Sequence, residues 1–227
     1  LAYARVKAGG IDGQPLLKKA NLTLAQIMDP AQRLKARDPI RFMNLAATAL
    51  GDSLFGFRLA QPVDLREFGF LYYVSASSVT LSEALQQLAR YTSSANEAVS
   101  LKVLDGAPVS VRFHYVGVSR HLDQHQMEFF VTLLVRLCRQ LTGLNLVPTH
   151  VRLVHRRDDK CPELTKFFGR KVEVSQEIRQ AGLGVPTGAH VDPAFGTGAP
   201  STFDARRILV AGATDMLIMG DLPRPDA

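Results

Sequence analysis

The sequence predicts an α+β fold: a helical N-terminal lead-in, an antiparallel sheet (a hairpin plus further strands) packed against long helices, and a disordered C-terminal tail. Apolar residues recur at helical spacing across 81–91 and 122–141. Between 99 and 115 they alternate with polar residues, which is the period of a strand. After Val174, glycine and proline become frequent and neither period persists. We therefore expect one folded domain at 1–174 and an irregular Gly/Pro-rich tail at 175–227.

The size and composition of the chain restrict its class. With 227 residues, 46% of them hydrophobic, it can bury the core of one substantial domain and is not disordered throughout. No segment reaches the about 18 consecutive apolar residues of a membrane-spanning helix. The N-terminus also lacks the apolar core of a secretory signal. We expect a cytoplasmic protein that does not enter a membrane.

Cysteines and net charge point to no particular chemistry. Cys138 and Cys161 lack the CxxC spacing of a zinc or redox site, so we expect two reduced, structural thiols. The formal net charge of +6 would attract an anionic partner. The Lys and Arg residues are spread along the chain, however, so charge alone does not indicate a nucleic-acid site.

Several short helices are predicted before the sheet. Three of the four begin near a proline or a capping residue: Pro15 in the first, Asp38 before Pro39 in the third, and Asp52 in the fourth. The predicted segments are 11–20, 22–28, 38–50 and 54–60.

The next two segments differ in how clearly they are specified. Residues 65–76 are rich in aromatic and aliphatic side chains that suit a buried helix or a buried strand, and we favour a helix. Thr80 and Glu83 have the spacing of a capping box, and the apolar face that follows predicts a helix over 81–91.

The predicted sheet begins with a hairpin. Residues 99–103 and 109–115 alternate in polarity on either side of the turn at Asp105 and Gly106, so one face should be buried. The longest helix follows at 122–142 and ends at Gly143. Further predicted elements are strands at 149–156 and 171–174, a helix at 162–168 and a short element at 208–219.

Candidate catalytic groups are few. His121, His125 and Glu128 are spaced so that three metal ligands could share one helix face, as in a small metal-dependent hydrolase. A solvated first turn of a helix explains the same residues without chemistry. Ser119 lacks the last glycine of a nucleophile elbow. We predict no catalytic residue, no metal and no cofactor, and therefore not an enzyme.

Direct nucleic-acid binding is the alternative function. The densest basic segment is 154–157 with Lys160, interleaved with acidic residues. A helix-turn-helix would need a recognition helix soon after the helix that begins at Thr80, yet the period-two hairpin follows instead.

Several motifs, taken in order, resemble a known family. They are Gly51-Asp-Ser-Leu-Phe-Gly-Phe-Arg-Leu-Ala60, Phe68-Gly-Phe70, Thr80-Leu-Ser-Glu-Ala-Leu-Gln-Gln-Leu-Ala-Arg-Tyr91, Arg139-Gln-Leu-Thr-Gly143 and Pro148-Thr-His-Val-Arg-Leu-Val-His155. Together they resemble the N-terminal sensory domain of AraC-type transcription regulators, of the arabinose-binding-domain-like class, over roughly residues 10–170.

This resemblance implies a domain that binds a small-molecule effector, forms a homodimer, or does both. In the family, DNA is bound by a C-terminal helix-turn-helix domain. The Gly/Pro-rich tail takes its place here, so we expect a truncated regulator without its own DNA-binding domain. Tyr72, Tyr73, Phe113 and Tyr115 combine apolar surface with hydroxyls and are the predicted ligand-binding residues. The effector itself is left open.

Overall fold

The computed structural model describes residues 1–29, 32–95, 99–104, 106, 108–115, 118, 122–153, 161–174, 181–186 and 188–195. The helices are α1 Ala2–Ala8, α2 Gln14–Lys19, α3 Leu24–Met28, α4 Arg37–Leu50, α5 Phe55–Ala60, α6 Phe70–Ala76, α7 Leu81–Ala95, α8 Gln124–Thr142 and α9 Pro162–Phe168, with 3-10 helices at Leu65–Phe68 and Pro193–Phe195. The strands are β1 Val99–Leu104, β2 Val109–Tyr115, β3 His150–Leu153, β4 Glu173–Val174 and β5 Ala181–Val185.

The described strands form one five-stranded sheet in the order β1-β2-β5-β3-β4. Every neighbouring pair is antiparallel except β3 and β4. Val111, Leu183 and Val151 lie opposite one another across β2, β5 and β3, and all three are fully buried. One face of the sheet is therefore part of the core, which confirms the predicted α+β fold and the hairpin with a single buried face.

Local sequence signals place most of the helices correctly. Glu83 N–H donates to Thr80 Oγ1 at 3.2 Å, and Val79 N–H donates to the Glu83 carboxylate at 3.0 Å, so the predicted pair caps α7. Residues 65–76 are helical, as a 3-10 turn followed by α6. Gly143 ends α8 with a φ of 65°, the left-handed conformation that glycine adopts without strain.

The start of α4 differs from the prediction. The helix begins at Arg37, and Asp38 lies inside its first turn instead of capping it. The Asp38 carboxylate accepts a hydrogen bond from Asn21 Nδ2 at 3.5 Å and is mostly buried. Asp38 is therefore held by a contact with a distant part of the lead-in. The sequence of residues 38–50 alone cannot predict that contact.

Strand β5 is the main correction. Residues 181–185 were predicted to be irregular, yet they form the strand between β2 and β3. The strand is short, and its buried residues Leu183 and Val185 alternate with glycine, so its alternation looked like loop composition. Glycine is needed there, because a Cβ on Gly184 would lie 2.7 Å from the His150 ring.

The chain stays attached to the domain after β5. Leu81 N–H donates to Ala189 O at 3.0 Å, and Asp192 N–H donates to Leu141 O at 2.7 Å. Residues 189–192 therefore pack against the start of α7 and the end of α8. The remainder of the predicted tail, 196–227, including the element at 208–219, lies outside the described residues. Among the described helices, none combines the length and the apolar character needed to cross a membrane.

Candidate functional site

An apolar cavity of about 100 Å³ lies between the sheet and the helices. It is bounded by the 3-10 helix at 65–68 with α6, by α7, by the β1–β2 hairpin and by α8. The lining residues are Leu65, Phe68, Leu71, Tyr72, Leu88, Thr92, Val99, Leu101, Phe113, Phe130, Leu133, Leu134 and Leu137.

The chemistry of this lining is almost wholly apolar. Thr92 and Tyr72 supply its hydroxyl groups, and no charged side chain among the described residues lines it. Phe113 and Phe130 meet edge to face, with ring centroids 6.4 Å apart. Because an unpaired charge in such surroundings loses its hydration without compensation, the cavity suits an uncharged, apolar group.

A second, polar cleft of about 390 Å³ also borders Tyr72. Tyr72 lines both spaces and is only 2% exposed. Its hydroxyl accepts a hydrogen bond from Gln140 Nε2 at 3.0 Å, which ties α6 to α8. The lining residues of the cleft are Asp64, Arg66, Tyr72, Tyr73, Gln140, Ala194 and Phe195.

Asp64 and Arg66 form a two-point ion pair in this cleft. Arg66 donates from Nε to Asp64 Oδ1 at 3.0 Å and from Nη2 to Oδ2 at 2.8 Å. These hydrogen bonds hold the pKa of the Asp64 carboxyl below its usual value, so it is ionised at neutral pH. The two formal charges therefore cancel.

Arg136 positions the chain that leads into the cleft. Its Nη1 donates to the carbonyls of Ala60 and Val63 at 2.7 and 2.8 Å. Burial lowers the pKa of this guanidinium, and the nearby Asp64 carboxylate opposes that shift. The residues just before Asp64 are thus fastened to α8.

The predicted ligand-binding residues do not share one space. Tyr72 and Phe113 line the apolar cavity, whereas Tyr73 lines the polar cleft and packs edge to face on Tyr72 at 5.2 Å. Tyr115 is buried against Phe130, with centroids 6.2 Å apart, and lines neither space.

Other residues at these spaces were not predicted from the sequence. They include Asp64, Arg66 and Gln140. Gln140 follows Leu133 and Leu137 on the same helical face of α8. A polar residue at the end of an apolar stripe is therefore the sequence signal that could have indicated its place at the cleft. Nothing in the local sequence of Asp64 or Arg66 distinguishes them from surface residues.

The metal hypothesis has little geometric support in the described part of the chain, where no group of three His, Cys, Asp or Glu could hold a metal ion. His125 and Glu128 lie at the start of α8 with Nδ1 and Oε2 4.0 Å apart, and both are largely buried. His121, Ser119, Asp105 and the basic segment 154–157 with Lys160 lie outside the described residues.

The two cysteines are thiols, and a basic residue of the sheet is paired. Neither Cys138 nor Cys161 forms a disulfide, and burial raises the pKa of the Cys138 thiol to about 12. Arg152 on β3 pairs with Glu173 on β4, with 2.8 Å between Nε and Oε2. Part of the positive charge on the sheet is therefore already neutralised.

The motif at 51–60 is structural in this fold. Gly51 ends α4 with a φ of 60°. Asp52 Oδ1 accepts from Leu54 N–H at 3.0 Å and from Arg58 Nη1 at 2.7 Å. Arg58 also reaches Glu163 on α9, with 2.9 Å between Nη2 and Oε1. These contacts join α4, α5 and α9.

Arg139, the first residue of the motif at 139–143, has a similar role. It donates from Nε to Leu146 O at 2.9 Å and from Nη2 to Phe167 O at 2.8 Å. Its guanidinium carbon also lies 4.8 Å from the centre of the Phe167 ring. The residue fastens the loop after α8 and the end of α9 to α8, away from both cavities.

Comparisons with known proteins identify the family. The family model for the N-terminal arabinose-binding domain of AraC transcription regulators matches residues 10–183. The crystal structure of the transcriptional regulator CdpR from Pseudomonas aeruginosa has a TM-score of 0.50 and 14% identity, covering 85% of this chain and 73% of that chain, a likeness of fold alone. A search of curated proteins gave no match. Since the family model spans most of its length, the chain belongs to the family of N-terminal arabinose-binding domains of AraC-type transcription regulators.

Proposed function

We propose that this domain is the effector sensor of an AraC-type regulator and that it acts by binding, without catalysis. The observation that carries the proposal is the apolar cavity, whose walls come from both layers of the fold. A small molecule there would contact α6, α7, α8 and the hairpin at once. It would make dispersion contacts with the apolar side chains of the lining.

A ligand in this position can bias the arrangement of the helices. Any compound that binds one arrangement more tightly shifts the population toward it. The rest of the regulator would read this shift through a homodimer or through a helix-turn-helix domain, the two outputs that the family resemblance implies. Binding would also stabilise the folded state, by an amount that rises with the logarithm of the ligand concentration once that concentration exceeds Kd.

A larger side chain on β1 that fills the cavity tests whether the cavity is the binding site. Leu101 lines the cavity, and Leu104 on the same strand is exposed. We expect Leu101→Phe to weaken binding of benzene, a small apolar probe, at least about tenfold because the larger ring takes the ligand's space. Leu104→Phe, the matched control, should bind as the unchanged protein does. Titration calorimetry and the shift of the melting temperature measure both.

A thermal-shift screen of small metabolites would then search for the natural effector. We expect at least one compound to raise the melting temperature of the unchanged protein and not that of Leu101→Phe. The proposal fails if no ligand stabilises the protein and its mass in solution is strictly monomeric. It also fails if Leu101→Phe binds benzene as tightly as Leu104→Phe does.

A further inference from the structure

We propose that the effector is amphipathic, with its apolar part in the cavity and an uncharged, hydrogen-bonding head group in the polar cleft, and that the Tyr72 side chain is the gate between the two spaces. This inference rests on the proposed function, because it assumes that the apolar cavity is the ligand site.

The position of Tyr72 supports the gate. Of the residues that the structure describes, it alone is common to the linings of these two spaces. A single hydrogen bond from Gln140 Nε2, at 3.0 Å, restrains its hydroxyl. Rotation of the ring away from Gln140 would therefore join the spaces while breaking one hydrogen bond between side chains.

The sizes of the two spaces support a ligand that spans both. At about 100 Å³, the cavity alone is smaller than the roughly 300–1,000 Å³ of most ligand sites. The cleft adds about 390 Å³, which brings the joined space within that range. An effector of metabolite size must therefore extend past Tyr72.

The cleft specifies the head group. The charged residues in its described lining are Asp64 and Arg66, which neutralise each other through two hydrogen bonds. A charged head group would compete with this pair and gain no net partner. Gln140 offers an amide and Arg66 its remaining N–H groups, and both can bond a neutral hydroxyl, carbonyl or amide.

Phe195 gives the cleft an apolar wall. It belongs to the 3-10 helix Pro193–Phe195, which Asp192 begins by accepting hydrogen bonds from Ala194 N–H at 2.9 Å and Phe195 N–H at 3.1 Å. The segment after β5 therefore takes part in the site, and the cleft can hold the first carbons next to the head group as well as the head group itself.

Three probes with the same six-carbon tail test the head group on the full chain: 1-hexanol, hexanoate and hexylammonium. We expect calorimetry to show 1-hexanol binding at least about tenfold more tightly than either charged probe. Tyr72→Phe removes the hydrogen bond that holds the ring against Gln140, so 1-hexanol, which spans both spaces, should bind about fivefold more tightly, while binding of benzene, which occupies the cavity alone, should change less than about twofold.

Tyr91→Phe is the matched control, since Tyr91 packs on Phe70 and lines neither space. It should leave the binding of every probe unchanged. If benzene binds but Tyr72→Phe leaves 1-hexanol unaffected, or a charged probe binds as well as 1-hexanol, the amphipathic assignment is wrong and the sensor proposal stands. If neither benzene nor 1-hexanol binds the unchanged protein, the sensor proposal and this inference both fail.

Discussion

A chain shortened to end at residue 174 should not fold, whereas one that ends at residue 195 should unfold in a single cooperative transition. Strand β5 lies between β2 and β3 and pairs with both of them. Its removal therefore separates the β1–β2 hairpin from β3 and β4. The core also loses Leu183, Val185 and Val191, all largely buried. Two strands that were paired on both sides would become open edges prone to aggregation.

Circular dichroism during heating, together with the dispersion of amide signals in a two-dimensional NMR spectrum, measures this difference. The longer chain keeps every described element and should give dispersed signals. A cooperative, equally stable transition for the chain that ends at 174 would contradict the structural role of β5. It would support the boundary that the sequence pattern predicted there.

Gly56→Ala should destabilise the protein by about 3 kcal/mol, near the upper end for overpacking of a core. A Cβ on Gly56 would overlap the His125 carbonyl oxygen and lie 2.6 Å from its carbonyl carbon. Backbone atoms of α8 form this obstacle, so α5 and α8 would have to separate. Phe55 and Phe57, both nearly fully buried, would lose packing in consequence.

The sign of this change is informative. In a helix without the close approach, replacing glycine by alanine would stabilise the protein by about 1 kcal/mol. Gly106→Ala is the control, because its Cβ would meet only the Pro108 carbonyl oxygen, at 3.3 Å, and we expect a change below about 0.5 kcal/mol. Urea unfolding measures both variants. A Gly56→Ala protein as stable as the unchanged one would show that α5 and α8 are not held this closely.

Local signals made most of the fold predictable. The cap at Thr80, the glycine after α8 and the alternation of the hairpin each act within a few residues, and each element formed where its pattern indicates. Strand β5 was missed because its partners β2 and β3 are distant in sequence and its apolar residues alternate with glycine. Its pairing depends on the tertiary structure, which no window of the sequence contains.

The candidate site was only partly predictable for a related reason. Strand alternation places Phe113 and Tyr115 on the same face, but it does not say how far along the strand the cavity extends. Phe113 lines it and Tyr115 does not. The cleft brings together Asp64, Gln140 and Phe195 from distant parts of the chain. Such a convergence becomes visible only once the elements are packed.

Three residues of the motifs that carry the family resemblance have structural roles, whereas Phe68, Leu88 and Gln140 of the same motifs line the cavity or the cleft. Arg58 and Arg139 bind carboxylates or carbonyls on neighbouring elements, and Gly56 permits close packing on α8. None of the three lines the apolar cavity or the polar cleft. Members that share these residues could therefore share a fold while binding different molecules.

Diffraction from crystals held under xenon pressure would show directly whether the apolar cavity accepts a ligand. Xenon binds dry apolar cavities of this scale without hydrogen bonds. We predict a xenon atom among Leu71, Phe113 and Leu134, which line the cavity from three elements, and its loss in Leu101→Phe. No xenon at this position, or the same xenon occupancy in Leu101→Phe, would contradict the assignment of this cavity as a ligand site.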